Sequence, residues 1–304
     1  MPRKKYVPHL AEFYFEPTHS WSSVEALEMY NTTKRGVDAI YYEDCIEGVK
    51  KLPDGIASLV VSDPPFGISF DDDQPYNRDG SLIVDGYVEV PSEQYEEFSR
   101  QWIAELPRIL TPEGSAYIFS GWTHLRHVLN AVHAAGLTVQ NEIIWKYQFG
   151  TYTKKKFTSS HYHIIFATRG KKYFFNNISN YNEDVWEVNR DYATGQRKNR
   201  TKLPAELVKR CIDFSSKPGD VVVDFFMGNG TTAAVAKANY RHYLGFEINE
   251  KMRSGIEKTI KSTTTGGDYV PYRRGKEEML EIARKYPRAY REFLRRQGKQ
   301  GKLF

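Results

Sequence analysis

Cysteine is scarce. The 304 residues hold two, Cys45 and Cys211, too few to staple a chain this long and at a spacing that fits no metal site. Disulfide scaffolds and cysteine-built zinc modules are excluded on that ground, and reduced thiols in a cytoplasmic setting are expected. Long apolar runs are also missing: no window approaches the roughly 18 residues of a membrane helix. The opening MPRKK has the charge of a secretory leader, but YVPHLAEFYFEP breaks the apolar run with Pro, His and Glu, so no export signal is expected. There is no repeat of fixed period and no low-complexity tract. The eight histidines form no ligand pair at helical spacing; no metal is expected, and they are assigned to surface or packing.

What is present is length enough for one large α/β domain with insertions, or for two domains. The net charge of +5 is unevenly spread: residues 150–202 carry eleven Lys/Arg against four Asp/Glu, and residues 261–304 twelve against five. The rest of the chain is therefore net acidic. Basic segments set apart from an acidic body suit a polyanion such as nucleic acid, although the last of them also reads as a solvated basic helix. Trp186 is expected in the core.

Short apolar runs alternate with amphipathic ones, which predicts a mostly parallel twisted sheet with helices on both faces. The strands are expected at Ala39–Tyr42, Ala57–Val61, Ala116–Phe119, Glu142–Trp145, His163–Thr168, Val221–Phe225 and His242–Phe246. Helices are expected over Ser92–Leu110, capped by Ser92, and over PAELVKRCIDFSS and TTAAVAKAN. Residues 71–90 break the alternation with scattered Gly, Asp and Pro and are read as a lid. Residues 170–200 mix Lys/Arg with Tyr, Phe and Asn without a period, a composition suited to gripping nucleic acid.

Two stretches carry chemistry. In VVSDPPFGISF an apolar strand delivers Asp63 to its carboxyl end, and Pro64 and Pro65 then forbid further ladder bonds and stiffen the turn. A carboxylate, a fixed carbonyl and the aromatic face of Phe66 suit handling of a flat group bearing an NH2; the plain alternative is a loop in which Asp63 is a turn residue. In VVVDFFMGNGTTAAVAKANYRHYLGFEIN a strand ends in Asp224, glycines 228 and 230 make a turn, a helix of small residues follows, and the next strand ends in Glu247. Glycines admit a ligand close to the backbone, and an acid at the following strand end suits ribose hydroxyls, so this reads as a nucleoside-cofactor site. GNGTTA also satisfies the dinucleotide pattern, which leaves a nicotinamide or flavin enzyme open; its late position leaves too little chain for the rest of a dinucleotide sheet.

Asp-Pro-Pro-Phe followed much later by Asp-Phe-Phe-Met-Gly-Asn-Gly-Thr resembles the S-adenosylmethionine-dependent DNA amino-methyltransferases of the β group, in which the catalytic motif precedes the glycine motif. The resemblance covers roughly residues 37–261. It implies a Rossmann-like methyltransferase fold with permuted motif order and S-adenosylmethionine as cofactor. The implied organisation is an N-terminal arm 1–36, a catalytic half 37–169, a target-recognition insert 170–200, a cofactor-binding half 201–261 and a basic tail 262–304. The implied catalytic residues are Asp63, Pro64, Pro65 and Phe66. Those implied at the cofactor are Asp44, on the adenine, and Cys45 through its backbone; Asp63, Asp224, Phe226, Gly228, Gly230, Thr231 and Glu247; and Lys202 and Pro204 near the methionine end. Glu43 stands where the family has Gly, Phe225 where Pro is commoner, and Phe66 where Tyr is usual. Lys154, Lys155, Lys156, Arg190, Arg197, Lys198 and Arg200 are candidate DNA contacts.

An exocyclic amino nitrogen is a poor nucleophile because its lone pair is delocalised into the ring. Asp63 and the Pro64 carbonyl, by accepting its two N–H bonds, would favour pyramidal nitrogen and stabilise the developing positive charge, while Phe66 stacks on a base flipped out of duplex DNA. Asp at the head of the motif resembles adenine-N6 enzymes more than cytosine-N4 enzymes, which usually carry Ser; cytosine-N4, RNA or protein amino groups, and a binding protein without catalysis are the alternatives. A cognate restriction endonuclease and a homodimer are the partners that the resemblance implies besides double-stranded DNA; no membrane is expected.

Overall fold

The strand that ends in Asp63 and the strand that ends in Asp224 lie side by side, although 161 residues separate the two carboxylates. They form the middle of an eight-stranded sheet in a computed structural model that describes residues 17–32, 37–67, 88–148, 154–178, 182–190, 202–272 and 283–296. The strands are β1 Ala39–Tyr41, β2 Ala57–Ser62, β3 Leu110–Ser120, β4 Thr138–Lys146, β5 His161–Thr168, β6 Val185–Glu187, β7 Val221–Asp224 and β8 His242–Phe246. Their spatial order is β1-β8-β7-β2-β3-β5-β4-β6, every neighbouring pair being parallel except those made by β5. From β7 the chain moves outward to β8, and from β2 it moves the opposite way to β3. The gap between β2 and β7 is thus a topological switch point, where an open α/β sheet leaves a crevice at its carboxyl edge.

Helices cover both faces, so the central strands are apolar on both sides. On one face Val60, Ile118 and Val223 pack against α2 (Cys45–Val49), α3 (Tyr95–Ile103), α4 (Leu106–Ile109) and α5 (Leu125–Ala134). On the other, Leu59, Val61, Tyr117 and Val222 pack against α6 (Ala205–Ser215), α7 (Thr231–Ala238) and α8 (Arg253–Ser262). Further helices are α1 (Ser23–Thr32) and α9 (Pro287–Arg296). Among the described residues no helix is long and apolar enough to cross a membrane.

The seven expected strands are all present, and three details differ. The helix expected over Ser92–Leu110 is divided: Ser92–Gln94 is a 3-10 turn, α3 ends at Ile103, and a short α4 follows. Pro107 explains the break, because in a continuous helix it would leave the Ile103 carbonyl without its donor and press its ring against it. Ser92 makes no side-chain cap; its Oγ lies 3.3 Å from His124 Nε2. Third, β6 lies inside the segment read as an insert and was not foreseen, being three residues long and too short to show a period. Trp186 at its centre is 5 % exposed, in the core as expected. Residues 71–87 of the expected lid, most of the N-terminal arm and much of the basic tail lie outside the described residues.

At the β1 side of the sheet His242 docks α1. Its Nδ1 faces Asp38 Oδ2 at 2.8 Å, its Nε2 faces the Tyr30 carbonyl at 2.9 Å, and the Tyr30 ring stacks on it at 4.1 Å. Both partners only accept, so the ring must donate from both nitrogens and is an imidazolium. Burial opposes that charge, but the bonds to Asp38 and Tyr30 and the Asp38 charge outweigh it and raise the pKa above 6.5. The charged form is therefore favoured in the folded state, and this stabilisation is complete below the unfolded value and lost as pH rises through the folded one. Urea midpoints are expected to fall across that interval, and Asp38→Asn to flatten the fall.

Candidate active site

The Asp63 turn is held from two sides. Gly67 closes it at φ +62°, a left-handed conformation, and a Cβ there would lie 2.4 Å from the Tyr95 ring. Only glycine meets both conditions. The Gly67 N–H donates to Glu89 Oε1 at 3.0 Å, and the Gly67 carbonyl accepts from His124 Nε2 at 3.0 Å. Because a carbonyl only accepts, that bond fixes His124 as the Nε2–H tautomer. The His124 ring also stacks on Tyr95 at 4.3 Å. The motif turn is thereby tied to the segment ahead of α3 and to the start of α5.

Across the crevice, Asp224 is buried and takes part in a small polar network. Its Oδ1 accepts the Phe226 N–H at 2.9 Å, and it hydrogen-bonds the hydroxyls of Thr232 and Ser62. Ser62 Oγ in turn accepts the Phe225 N–H at 3.1 Å. Ser62, the last residue of β2, thus joins the ends of the two motif strands, a role no sequence pattern announced. Burial pushes the Asp224 carboxyl up to about 6 against the opposing pull of these bonds. Asp63 is pushed up to about 7 by burial and by the neighbouring Asp224 charge, while the positive charge of Arg190 pulls it down.

The glycine turn follows Asp224. Gly228 and Gly230 adopt φ +52° and +78°, and Gly230 is the N-cap of α7, with Ile256 packed where a side chain would project. Glu247 holds this turn: Oε2 accepts the Gly228 N–H and Oε1 the Asn249 N–H, each at 2.8 Å. Burial raises its pKa and the two N–H bonds partly offset that. Asp44 caps α2 through Ile46 N at 2.7 Å, next to Cys45, whose thiol burial pushes far above its ordinary range.

These elements surround one cleft of about 920 Å³. It brings together Asp44, Cys45, Asp63, Pro64, Pro65, Phe66, Lys202, Asp224, Phe226, Gly228, Thr231 and Glu247; Gly230 and Pro204 stand behind its lining as the N-cap residues of α7 and α6. Arg190 also lines it, whereas Lys154, Lys155 and Lys156 are exposed and do not. Arg197, Lys198 and Arg200 lie outside the described residues. An aromatic wall was missed: Tyr162 lies 5.0 Å from Phe66 and 5.5 Å from Trp145, with Tyr147 5.4 Å from Tyr162. Its one advance signal was the aromatic content around the expected β4 and β5 strands.

The lining includes eight carboxyl side chains, Glu43, Asp44, Asp63, Glu89, Glu93, Glu97, Asp224 and Glu247, against two basic ones, Lys202 and Arg190. Such a cleft repels a phosphate backbone and suits a ligand that carries positive charge and hydroxyl groups. The left-handed glycine turn lets such a ligand approach the backbone at one end, and the stiff Asp63 turn with its aromatic wall receives a flat group at the other. Among the described residues no cluster of His, Cys, Asp and Glu has the arrangement of a metal site.

Residues 57–258 match the N6/N4 methyltransferase family model, described as DNA methylase. The chain is 27% identical over 255 residues to Type II methyltransferase M.HinfI of Haemophilus influenzae, covering 74% of this chain and 68% of that one. It is 28% identical over 251 residues to Type II methyltransferase M.HpaI of Haemophilus parainfluenzae, covering 76% of each. Similar solved structures include the M1.HpyAVI–SAM complex, with TM-score 0.55 at 19% identity over 73% of this chain and 98% of that one. The cytosine-N4-specific PvuII DNA methyltransferase superposes with TM-score 0.58 at 15% identity, over 85% and 93%. These two share the fold.

Gly67→Ala tests the clamp on the motif turn. Tyr95 must move and the backbone must hold a strained φ, so the variant is expected to lose about 1–3 kcal/mol of stability, measured by denaturant unfolding. Gly55→Ala, also at positive φ but with no atom within 4 Å of the added carbon, separates the clash from the backbone strain and is expected to lose less.

Proposed function

Because this chain belongs to the N6/N4 family of DNA methylases, we propose that it transfers a methyl group from S-adenosylmethionine to the exocyclic N6 of an adenine flipped out of double-stranded DNA. The observation that carries the choice of adenine is Asp63 at the head of the Asp-Pro-Pro-Phe turn, where cytosine-N4 enzymes usually carry Ser. The acidic cleft and its left-handed glycine turn fit the methyl donor: Asp44, Asp224, Gly228, Glu247 and Lys202 would hold it. Bound there, it supplies an electrophilic methyl on a sulfonium.

The protein's own part is to prepare the amino group. Pro64 and Pro65 fix the turn, so the Asp63 carboxylate and the Pro64 carbonyl accept the two N–H bonds without moving. Both acceptors stabilise positive charge on nitrogen as it attacks. Phe66, backed by Tyr162, stacks on the base. The methylated nitrogen then sheds one proton, and a carboxyl whose pKa is about 7 is suited to receive it. Unstacking the base costs a few kcal/mol, which these contacts offset. Lys154, Lys155 and Lys156, with Arg197, Lys198 and Arg200, are the proposed phosphate contacts on the duplex. A cognate restriction endonuclease would fit the Type II names of the relatives, and a cytoplasmic setting follows for an enzyme that modifies DNA.

Single-molecule sequencing of DNA from a methylation-free host expressing the chain, with Asp63→Ala as control, reads base and context together. N6-methyladenine at one short motif, lost in the control, is the expected result. N4-methylcytosine would overturn the choice of base and keep the mechanism. In vitro, Asp63→Ala is expected to lower turnover by on the order of 10²–10³-fold and to retain donor binding. Glu247→Gln is expected to weaken donor binding by roughly tenfold with little effect on turnover at saturation, as read by calorimetry beside kinetics.

A further inference from the structure

Trp122 is 67 % exposed, yet the chain on either side of it is seated on the catalytic turn. Ser62 is registered beside Ile118, so β3 runs two residues past the end of β2 and delivers the next residue, Gly121, beside that turn. A Cβ at Gly121 would lie 3.5 Å from the Phe66 ring. Two residues after Trp122, the buried His124 donates from Nε2 to the Gly67 carbonyl at 3.0 Å and stacks on Tyr95. Single exposed apolar side chains are common on protein surfaces. Trp122 differs because contacts to Phe66 and Gly67 fix its backbone from both sides while its indole faces solvent.

Charge changes sign along this rim. The cleft lining carries eight carboxyl side chains. Residues 121–134, which follow β3, and 154–163, which lead into β5, contain no Asp or Glu and four basic residues, Arg126, Lys154, Lys155 and Lys156. All four are exposed. Ser120 is registered beside His163, so the two stretches leave the sheet at neighbouring points of one edge. A phosphate backbone is therefore repelled by the cleft and accepted at this rim, so that a duplex lies against the rim and the flipped base alone enters the cleft.

We infer that Trp122 is the side chain that enters the duplex, its indole stacking in the place that the flipped base leaves. The inference rests on the reading of methyl transfer to a flipped base. Extracting a base deprives its neighbours of a stacking partner, and an indole offers a large flat face that replaces it whatever the sequence. Phe157, 99 % exposed, is the other large exposed ring at this edge, but it follows the three lysines and is not part of the segment seated on the turn. It serves as the comparator.

The test compares binding of the full chain, with S-adenosylhomocysteine present, to two short labelled duplexes, one fully paired and one with a single abasic site, whose gap an inserted indole can fill. The wild type is expected to prefer the abasic duplex, and Trp122→Ala to lose roughly tenfold of that preference. Trp122→Phe should keep most of it and Phe157→Ala all of it. Indole emission should fall when the wild type binds the abasic duplex, and Trp122→Phe should remove that fall. On DNA bearing the methylated motif, Trp122→Ala should lower kcat/KM far more for the duplex than for the single strand, which has no gap to fill. A preference unmoved in Trp122→Ala, or moved as far in Phe157→Ala, overturns the proposal. So does a dimer that dissociates in Trp122→Ala, read by sedimentation, with the preference unmoved: the indole would then be covered by a second copy. The binding comparison needs no methylation. A wild-type chain that methylates nothing sinks the methyl-transfer reading while the abasic duplex still decides Trp122, whereas an active enzyme with an unmoved preference sinks only the role of Trp122.

Discussion

The parallel pairing of β2 with β7 is the constraint from which the site follows. Inside the sheet each strand satisfies its neighbour's backbone groups, and at the carboxyl edge that ladder stops. The N–H of Phe225, just past the ladder, is taken by the Ser62 hydroxyl, and the N–H of Phe226 by Asp224 itself. Side chains thus replace the ladder where it ends, and they tie the two strand ends together. Two carboxylates from distant parts of the chain are left at one crevice, because the strands they terminate are held in register with Leu59 beside Val222 and Val60 beside Val223.

That closeness carries an electrostatic consequence. Loss of water raises both carboxyls: Asp63 goes to about 7 with the Asp224 charge adding to the effect, and Asp224 to about 6 with the Glu247 charge adding to it. Their surroundings differ. Asp224 is surrounded by donors that favour its charged form and that also shape the glycine turn, so its acceptor capacity serves the architecture. The cation that reaches Asp63 is Arg190. A positively charged donor entering the cleft would relieve the repulsion between the two, so an acidic cleft binds such a ligand at the expense of its own strain.

Much of this was legible in the sequence, for physical reasons that can be named. Buried parallel strands must be apolar on both sides, so runs such as Leu59–Val61 and Val221–Val223 stand out. Motif residues are legible because each answers a local demand: proline to stop a ladder, glycine to adopt positive φ, an acid at a strand end. What escaped was non-local or too short. Ser62 acts on a strand 163 residues away; β6 has three residues; the cleft wall around Tyr162 depends on which strands pair. Arg190 sits in a basic segment, where composition suggested a phosphate contact, and the structure places it on the cleft lining instead of with the exposed lysines 154–156.

The reversal of β5 accounts for that wall. In an all-parallel sheet only the carboxyl ends of strands reach the edge where the motifs lie. Because β5 runs against β4, its amino end lies at that edge, and Tyr162 near its start is registered beside Trp145 near the end of β4. The parallel strand β6 then brings Trp186 into line with Trp145, so the chain leaving it reaches Arg190 at the same edge. One antiparallel strand therefore adds Tyr162 to the side chains, Trp145 and Arg190, that this half of the sheet presents to the crevice. The cofactor half instead uses strand, turn and helix. The two halves of the cleft consequently differ in kind: backbone turns and carboxylates on the β7 and β8 side, flat rings and a guanidinium on the β4, β5 and β6 side. A nucleoside-bearing methyl donor needs the first, and a flat acceptor group needs the second.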